Sequence, residues 1–158
     1  MSDVDSQSAL PRVIVVEDGL EYTERFSRLL SAQFQFERVA DYPALLSALE
    51  TPAAVLVLDL DFRRTPLHRL IDGEGAVATP ISAAELASVQ GILILRSLRK
   101  RESQPPALLC ADLDDPEQAR LLCKELRPLQ ISPSSESLQQ LAARLRNLAG
   151  LSRGATSI

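Results

Sequence analysis

The stretch that most restricts what this chain can fold into is Ala54–Asp61 (AVLVLDLD). Apolar residues run without alternation from Val55 to Leu58, and a carboxylate follows at Asp59. A strand with one wet face alternates apolar and polar residues. An unbroken β-branched and leucine run reads instead as a strand covered on both faces, as in parallel sheets. A buried helical segment has similar composition, but Pro52 upstream and Asp61, Arg63 and Arg64 downstream hold the run to strand length. In open parallel sheets ligands bind beyond the carboxyl ends of the strands. Asp59 therefore falls where chemistry is expected.

The same kind of segment recurs along the chain, separated by helical periodicity. Arg12–Val16 (RVIVV) is a first buried strand and ends in Glu17-Asp18-Gly19. Tyr22, Phe26, Leu29, Leu30 and Phe34 share one face of a helix, and Phe36–Ala40 is a short strand. Asp41 is placed to cap a helix with Pro43 in its first turn and Leu45, Leu46 and Leu49 on its apolar side. After Asp59 the rhythm breaks: residues 63–82 are an insertion, either a small hairpin around Asp72-Gly73-Glu74-Gly75 or a disordered loop. Ser82 and Glu85 have capping-box spacing for a helix running to about Arg101, with Leu86, Val89, Ile92, Leu93, Leu95 and Leu98 inward. Ala107–Ala111 is a fourth strand and Asp115-Pro116 opens a further helix. Leu129–Ile131 is a fifth strand, and a last helix through Leu138, Leu141, Leu145 and Leu148 stops at Gly150. Five strands alternating with helices predict a doubly wound α/β domain over 12–150, with 1–11 and 151–158 as flexible termini.

At 158 residues the chain suits one domain, and 46% hydrophobic with 24% charged residues is ordinary globular composition. A net charge of −4 argues against nucleic-acid binding by this chain, since phosphate contacts need a basic face. No apolar run approaches the ~18 residues of a bilayer span, and Met1–Ser8 is polar and acidic, unlike a signal peptide. Cys110 and Cys123, on an expected strand and helix, lack metal-site spacing and read as plain packing in a cytoplasmic, reducing setting. His68, the only histidine, reads as a surface residue.

Acids end two of the strands. In a flavodoxin-like order, 2-1-3-4-5, the first and third strands are neighbours at the topological switch point, so Glu17, Asp18 and Asp59 converge. Two such charges about 4 Å apart repel by roughly 4 kcal/mol at an effective dielectric of 20. A pocket of this kind holds a cation or a proton, and hard oxygen ligands in a wet site suit Mg²⁺. Acids after strands also simply cap helices, and that reading stands for any one of the three alone.

Three ordered landmarks, Val13–Gly19 (VIVVEDG), Val55–Asp61 (VLVLDLD) and Gly91–Lys100 (GILILRSLRK), resemble response-regulator receiver domains. Pro106–Pro116 and Ser132-Pro133 continue the match, which covers about residues 12–148. The resemblance implies the flavodoxin-like five-stranded sheet, with an insertion between strand 3 and helix 3. It implies two-component signalling in which Asp59 accepts a phosphoryl group from a histidine kinase. Mg²⁺ would be held by Glu17, Asp18, Asp59 and the backbone carbonyl of Asp61, neutralising charge on the transferring group. A partner kinase or output domain, and pairing of two copies into a homodimer, are further implications.

The chain departs from that family at named positions. The hydroxyl residue ending strand four aligns with Ala111, the lysine before the proline after strand five with Ser132, and the aromatic switch residue with Leu129. A one-residue slip at strand four brings Cys110 or Asp112 there instead. Hydrogen bonds to a charged group are worth about 1.5–3 kcal/mol each, as much as a typical allosteric coupling of about 1–3 kcal/mol. The expectation is a pseudo-receiver-like interaction module, with phosphorylation of Asp59 weak or uncoupled. An ordinary phosphorelay receiver whose missing groups come from the insert is the alternative. Arg63 and Arg64 could supply that charge, though they read more simply as solvated surface residues. A third reading is a phosphohydrolase resembling the haloacid-dehalogenase group, through Asp59-Leu60-Asp61. Arg63 stands where that family has Thr or Val, and its motif lies on the first strand. The insert is expected to be a lid or a docking element.

Overall fold

The computed structural model describes residues 10–102 and 105–156. Five parallel strands form one sheet in the order β2-β1-β3-β4-β5: β1 Arg12–Val16, β2 Gln35–Val39, β3 Val55–Asp59, β4 Ala107–Cys110 and β5 Leu129–Ser132. The helices are α1 Glu21–Leu30, α2 Tyr42–Ala48, α3 Ala83–Ser88, α4 Gln90–Lys100, α5 Pro116–Glu125 and α6 Leu138–Thr156. The doubly wound fold expected from the strand rhythm, with the flavodoxin-like order that the resemblance implies, is the one observed, and the insertion leaves the sheet after β3.

The unbroken apolar strands divide their residues between two cores. Ile14, Val16, Leu56 and Leu58 pack against α2, α3, α4 and α5, while Val13, Val15, Val55 and Val57 pack against α1 and α6. Strand side chains point alternately to opposite faces, so a run apolar at every position is what two covered faces demand. At the edge, β2 is half exposed, and its Glu37 pairs with Arg12 of β1 at 2.7 Å.

Two caps are as the residues dictate. Asp41 accepts from the Ala44 N–H at 2.9 Å and Asp115 from the Glu117 N–H at 3.0 Å, each beside a proline in the first turn. Elsewhere the structure corrects the pattern. The expected helix from Ser82 to Arg101 is two helices, broken at Val89 (φ −128°, ψ 21°). Backbone leaving β3 takes the bonds a continuous helix would use: Phe62 N–H donates to Ala87 and Gly91 N–H to Leu60. Ser82 makes no capping bond, and its hydroxyl turns to Thr79. Phe34 lies beyond the end of α1 yet is buried, whereas Leu29 on α1 is exposed. α6 continues past Gly150, which costs a helix only about 1 kcal/mol relative to alanine and is no stop by itself. Of the termini expected to be flexible, 1–11 and 151–158, residues 1–9 and 157–158 lie outside the described residues.

The insertion is packed into the domain. It holds a single 3-10 turn, Leu67–Arg69, and one antiparallel bridge, Ile71 to Val77, where a hairpin was one expectation. Between them Asp72 organises the turn: its Oδ1 accepts from the N–H groups of Glu74 and Ala76, with Gly75 at φ +84°. Phe62, Leu70, Ile71 and Ala78 are buried in the core that also holds α2 and α4. Gln90, 1% exposed, uses both ends of its amide on Ile71, accepting from its N–H at 2.9 Å and donating to its carbonyl at 3.0 Å. Burial of side chains of this size is worth about 1.5–3 kcal/mol each. The segment is therefore a structural part of the core and not a loose appendage.

Candidate functional site

β1 and β3 are neighbours in register, Val16 opposite Leu58, so the loops leaving them open side by side. Asp18, Asp59, Asp61, Arg63 and Arg64 line one cavity of about 240 Å³ there. Three of the four expected acidic positions are thus brought together. Asp59 is held by its neighbour's backbone, Oδ1 accepting from the Leu60 N–H at 2.8 Å. Its carboxyl is pushed up from 3.8 to about 6. Burial is the largest cause; the Leu60 N–H opposes it, and the charges of Asp18 and Glu17 add to it.

Glu17 does something else. It is 1% exposed, and both its oxygens are taken by the first turn of α1: Oε1 accepts from the Tyr22 N–H at 3.1 Å, Oε2 from the Thr23 N–H at 2.7 Å and the Thr23 hydroxyl at 2.6 Å. Helix N-termini present unpaired N–H groups to which a carboxylate is the favourable partner. Leu20 at the cap position has no side-chain acceptor, and Glu17 supplies one from three residues upstream.

Both arginines are exposed, as the surface reading has it, and both are ion-paired there. Arg63 pairs with Asp61 at 2.8 Å, and the Asp61 carboxylate also accepts from the Arg63 N–H at 3.0 Å. Arg64 donates its backbone N–H to Asp18 Oδ2 at 2.7 Å, and its Nη2 bonds Glu21 and lies 3.8 Å from Asp18 Oδ1. Glu21 in turn is held below the ordinary carboxylate range, chiefly by that Arg64 bond. Asp18 carries a further cation on its backbone, where Arg38 Nη2 donates to its carbonyl at 2.9 Å.

At the next two strand ends, Cys110 stands opposite both Asp59 and Ser132 in register, with Ala111 one step beyond. Ala111 contributes only its N–H, to the Ser132 carbonyl at 3.0 Å. Burial, aided by the charges of Asp59 and Glu17, pushes the Cys110 thiol up to about 12, so it stays a neutral, weak donor. Ser132 is 3% exposed and donates its hydroxyl to Glu136 Oε1 at 2.8 Å. Arg144 of α6 clasps both Glu136 oxygens, at 2.7 and 2.8 Å, and donates to Gln130 at 2.9 Å. Leu129 is a buried apolar residue.

Glu21, Gln90, Glu136 and Arg144 were not singled out from the sequence. Ser132 and Glu136 stand four apart, a spacing that could have suggested their bond, and Arg144 follows eight further on. Nothing local in the sequence announces the reach of Arg64 to Glu21, which spans forty-three positions.

The placement of the acids bears on Mg²⁺, which the resemblance implies. Glu17 has both oxygens engaged by α1, Asp18 accepts from the Arg64 backbone N–H, and Asp61 pairs with the Arg63 guanidinium. Among the described residues no group of three or more His, Cys, Asp or Glu side chains is arranged to hold a metal ion. As placed, this donor set does not fit the ion.

No protein-family model and no curated protein matches the chain. Solved structures do share its fold. The receiver domain of Francisella response regulator 1452 superposes with a TM-score of 0.65 at 18% identity, covering 89% of this chain and 97% of that one. The Vibrio cholerae chemotaxis protein CheY4 gives 0.61 at 17% identity over 89% and 99% of the two chains. The signal receiver domain of a putative Luxo repressor protein from Vibrio parahaemolyticus gives 0.67 at 11% identity over 92% and 94%. The chain has the receiver-domain fold. Among the described residues, no helix is long and apolar enough to cross a membrane.

Proposed function

We propose that this chain is an atypical response-regulator receiver domain of two-component signalling, acting as a protein-interaction module with phosphorylation at Asp59 weak or uncoupled. One observation carries the reading. The carboxylate at the switch point is kept, while the strand ends beside it offer a methyl group at Ala111 and a hydroxyl at Ser132 already donated to Glu136. A phosphoryl group on Asp59 would lack two charge-assisted contacts, each worth about 1.5–3 kcal/mol. That deficit is at least as large as the coupling of about 1–3 kcal/mol on which a switch depends. Leu129, at the position of the aromatic switch residue, has no polar end with which to report a change.

On this reading the chain is not an enzyme beyond phosphoryl acceptance with slow self-dephosphorylation. It works in the cytoplasm on a signalling partner, a histidine kinase or an output domain, or on a second copy of itself. It binds neither nucleic acid nor membrane. The second reading, an ordinary phosphorelay receiver, is favoured by the arrival of Arg63 and Arg64 at the pocket, where they could meet a phosphoryl group. The hydrolase reading lacks a second acid at liberty, since Asp61 is paired with Arg63.

Intact protein is incubated with Mg²⁺ and a small acyl-phosphate donor, followed by mass spectrometry and amide NMR. The expected outcome is little or no stable adduct on Asp59, and no spectral change at β4, β5 or α5. A stoichiometric adduct with shifts spreading to those elements would establish the ordinary receiver instead, and sustained phosphate release would establish the hydrolase.

A further inference from the structure

The insert brings one cation to a place where acids from two loops face one another. Arg64 is fixed at both ends: its backbone N–H by Asp18 Oδ2 at 2.7 Å, its guanidinium by Glu21 and, at 3.8 Å, by Asp18 Oδ1. Asp59 and Asp61 line the same cavity. A second feature is built around this arrangement. Gly19 lies under the ion pair, and a Cβ there would come within 2.5 Å of Arg64 Nη2 and as close to the Glu21 carboxylate. The residue without a side chain is what lets the guanidinium lie over the β1–α1 turn. The base of the insert is equally fixed, with the Phe62 N–H bonded to Ala87 at 2.8 Å. Phe62 itself is fully buried, two residues before Arg64.

We propose that Arg64 is a tethered cation standing in the acidic pocket in place of a divalent metal ion, and that it keeps such ions out. The inference deepens the receiver reading and rests on it for the meaning of the pocket. Its test reads cation binding and not phosphoryl transfer, so the two fail separately. Physically, a guanidinium satisfies the same need as a metal, positive charge among carboxylates; here it bonds Glu21 and lies 3.8 Å from Asp18 Oδ1. It differs in being supplied by the chain, so the pocket is occupied at every metal concentration. Arg63 on Asp61 and Arg38 on the Asp18 carbonyl add to the local positive field and point the same way. Glu17 is turned into α1 and lends the pocket no ligand atom.

The probe is Mn²⁺ alone, added to the full chain and followed by the loss of the free-ion electron paramagnetic resonance signal. Paramagnetic broadening of the Asp18, Asp59 and Leu60 amides locates the ion. Wild type and Arg64→Lys, which keeps the charge, should bind weakly and alike. Arg64→Ser should bind at least about tenfold more tightly, because the like charge 3.8 Å from Asp18 Oδ1 has been removed. Arg64→Gln keeps the backbone bond and the stem and removes only the charge, so it decides the matter if the serine variant does not fold. Wild type binding Mn²⁺ as tightly as Arg64→Gln would overturn the proposal. So would an Arg64→Gln protein, folded by circular dichroism, that gains no affinity at these amides.

Discussion

Replacing Asp59 by asparagine should stabilise the protein at neutral pH. The carboxyl ionises at about 6 in the fold against an ordinary 3.8, because burial and the charges of Asp18 and Glu17 disfavour its anion. A group that holds its proton more tightly when folded makes the fold less stable as pH rises. The penalty is absent below the unfolded value near 4, grows between there and about 6, and is complete above. At about 1.4 kcal/mol for each tenfold change in proton affinity, the whole shift corresponds to about 3 kcal/mol. Asp59 is only half buried, so solvent screening reduces this to about 1–2 kcal/mol. Asparagine keeps an oxygen for the Leu60 N–H, 2.8 Å away, and carries no charge. In EDTA at pH 8, Asp59→Asn should therefore raise the melting temperature by about 2–8 °C, at roughly 2–4 °C per kcal/mol for a chain of this size. At pH 4 the two proteins should melt together. A gain as large at pH 4 as at pH 8, or a loss at pH 8, would refute the electrostatic account of the pocket.

Gln90→Leu keeps the volume but leaves the Ile71 N–H and carbonyl unpaired, at about 1–3 kcal/mol per buried group. Urea unfolding should show a loss of about 2–4 kcal/mol, and hydrogen exchange should quicken at Ile71 before the sheet. In Gly91→Ala the new Cβ would lie 3.0 Å from the Asp59 carbonyl carbon and nearer still to its oxygen, with no flexible side chain to yield. A loss of about 3 kcal/mol is expected by the same assay; a change under 1 kcal/mol would mean that α4 can back away from β3. Asp41→Ala removes both the cap on Ala44 and the 3.2 Å bond from Arg69 in the insert, at a cost of about 1–2 kcal/mol. Asp41→Asn, which still caps, should recover most of it.

The sheet was readable because each buried strand is an uninterrupted apolar run and each following helix carries its own periodicity, from Val13–Val16 to Leu145 and Leu148. Strand order came with the resemblance to receiver domains, and the convergence of Asp18 and Asp59 followed from that order. What stayed hidden depends on distant partners. Glu17 is a plausible ligand in any local reading, and only the three donors at the start of α1 redirect it. Arg64 reads as surface and is exposed, but its pairing with Glu21 exists only once the insert folds back. The division of the helix at Val89 is likewise not a matter of propensity. It is imposed by the chain leaving β3, which bonds Ala87 and Leu60 takes the N–H of Gly91.

The double amide bond between Gln90 and Ile71 has a consequence for molecular recognition. Prising the insert away from the sheet would strand two backbone groups and uncover Leu70 and Ile71, so thermal motion at the pocket mouth should be confined to side-chain rotamers. A protein that recognises this end of the domain meets relief that exists before contact. Its association should proceed in one kinetic phase, at the roughly 10⁵–10⁷ M⁻¹s⁻¹ set by mutual orientation, without a slower rearrangement afterwards.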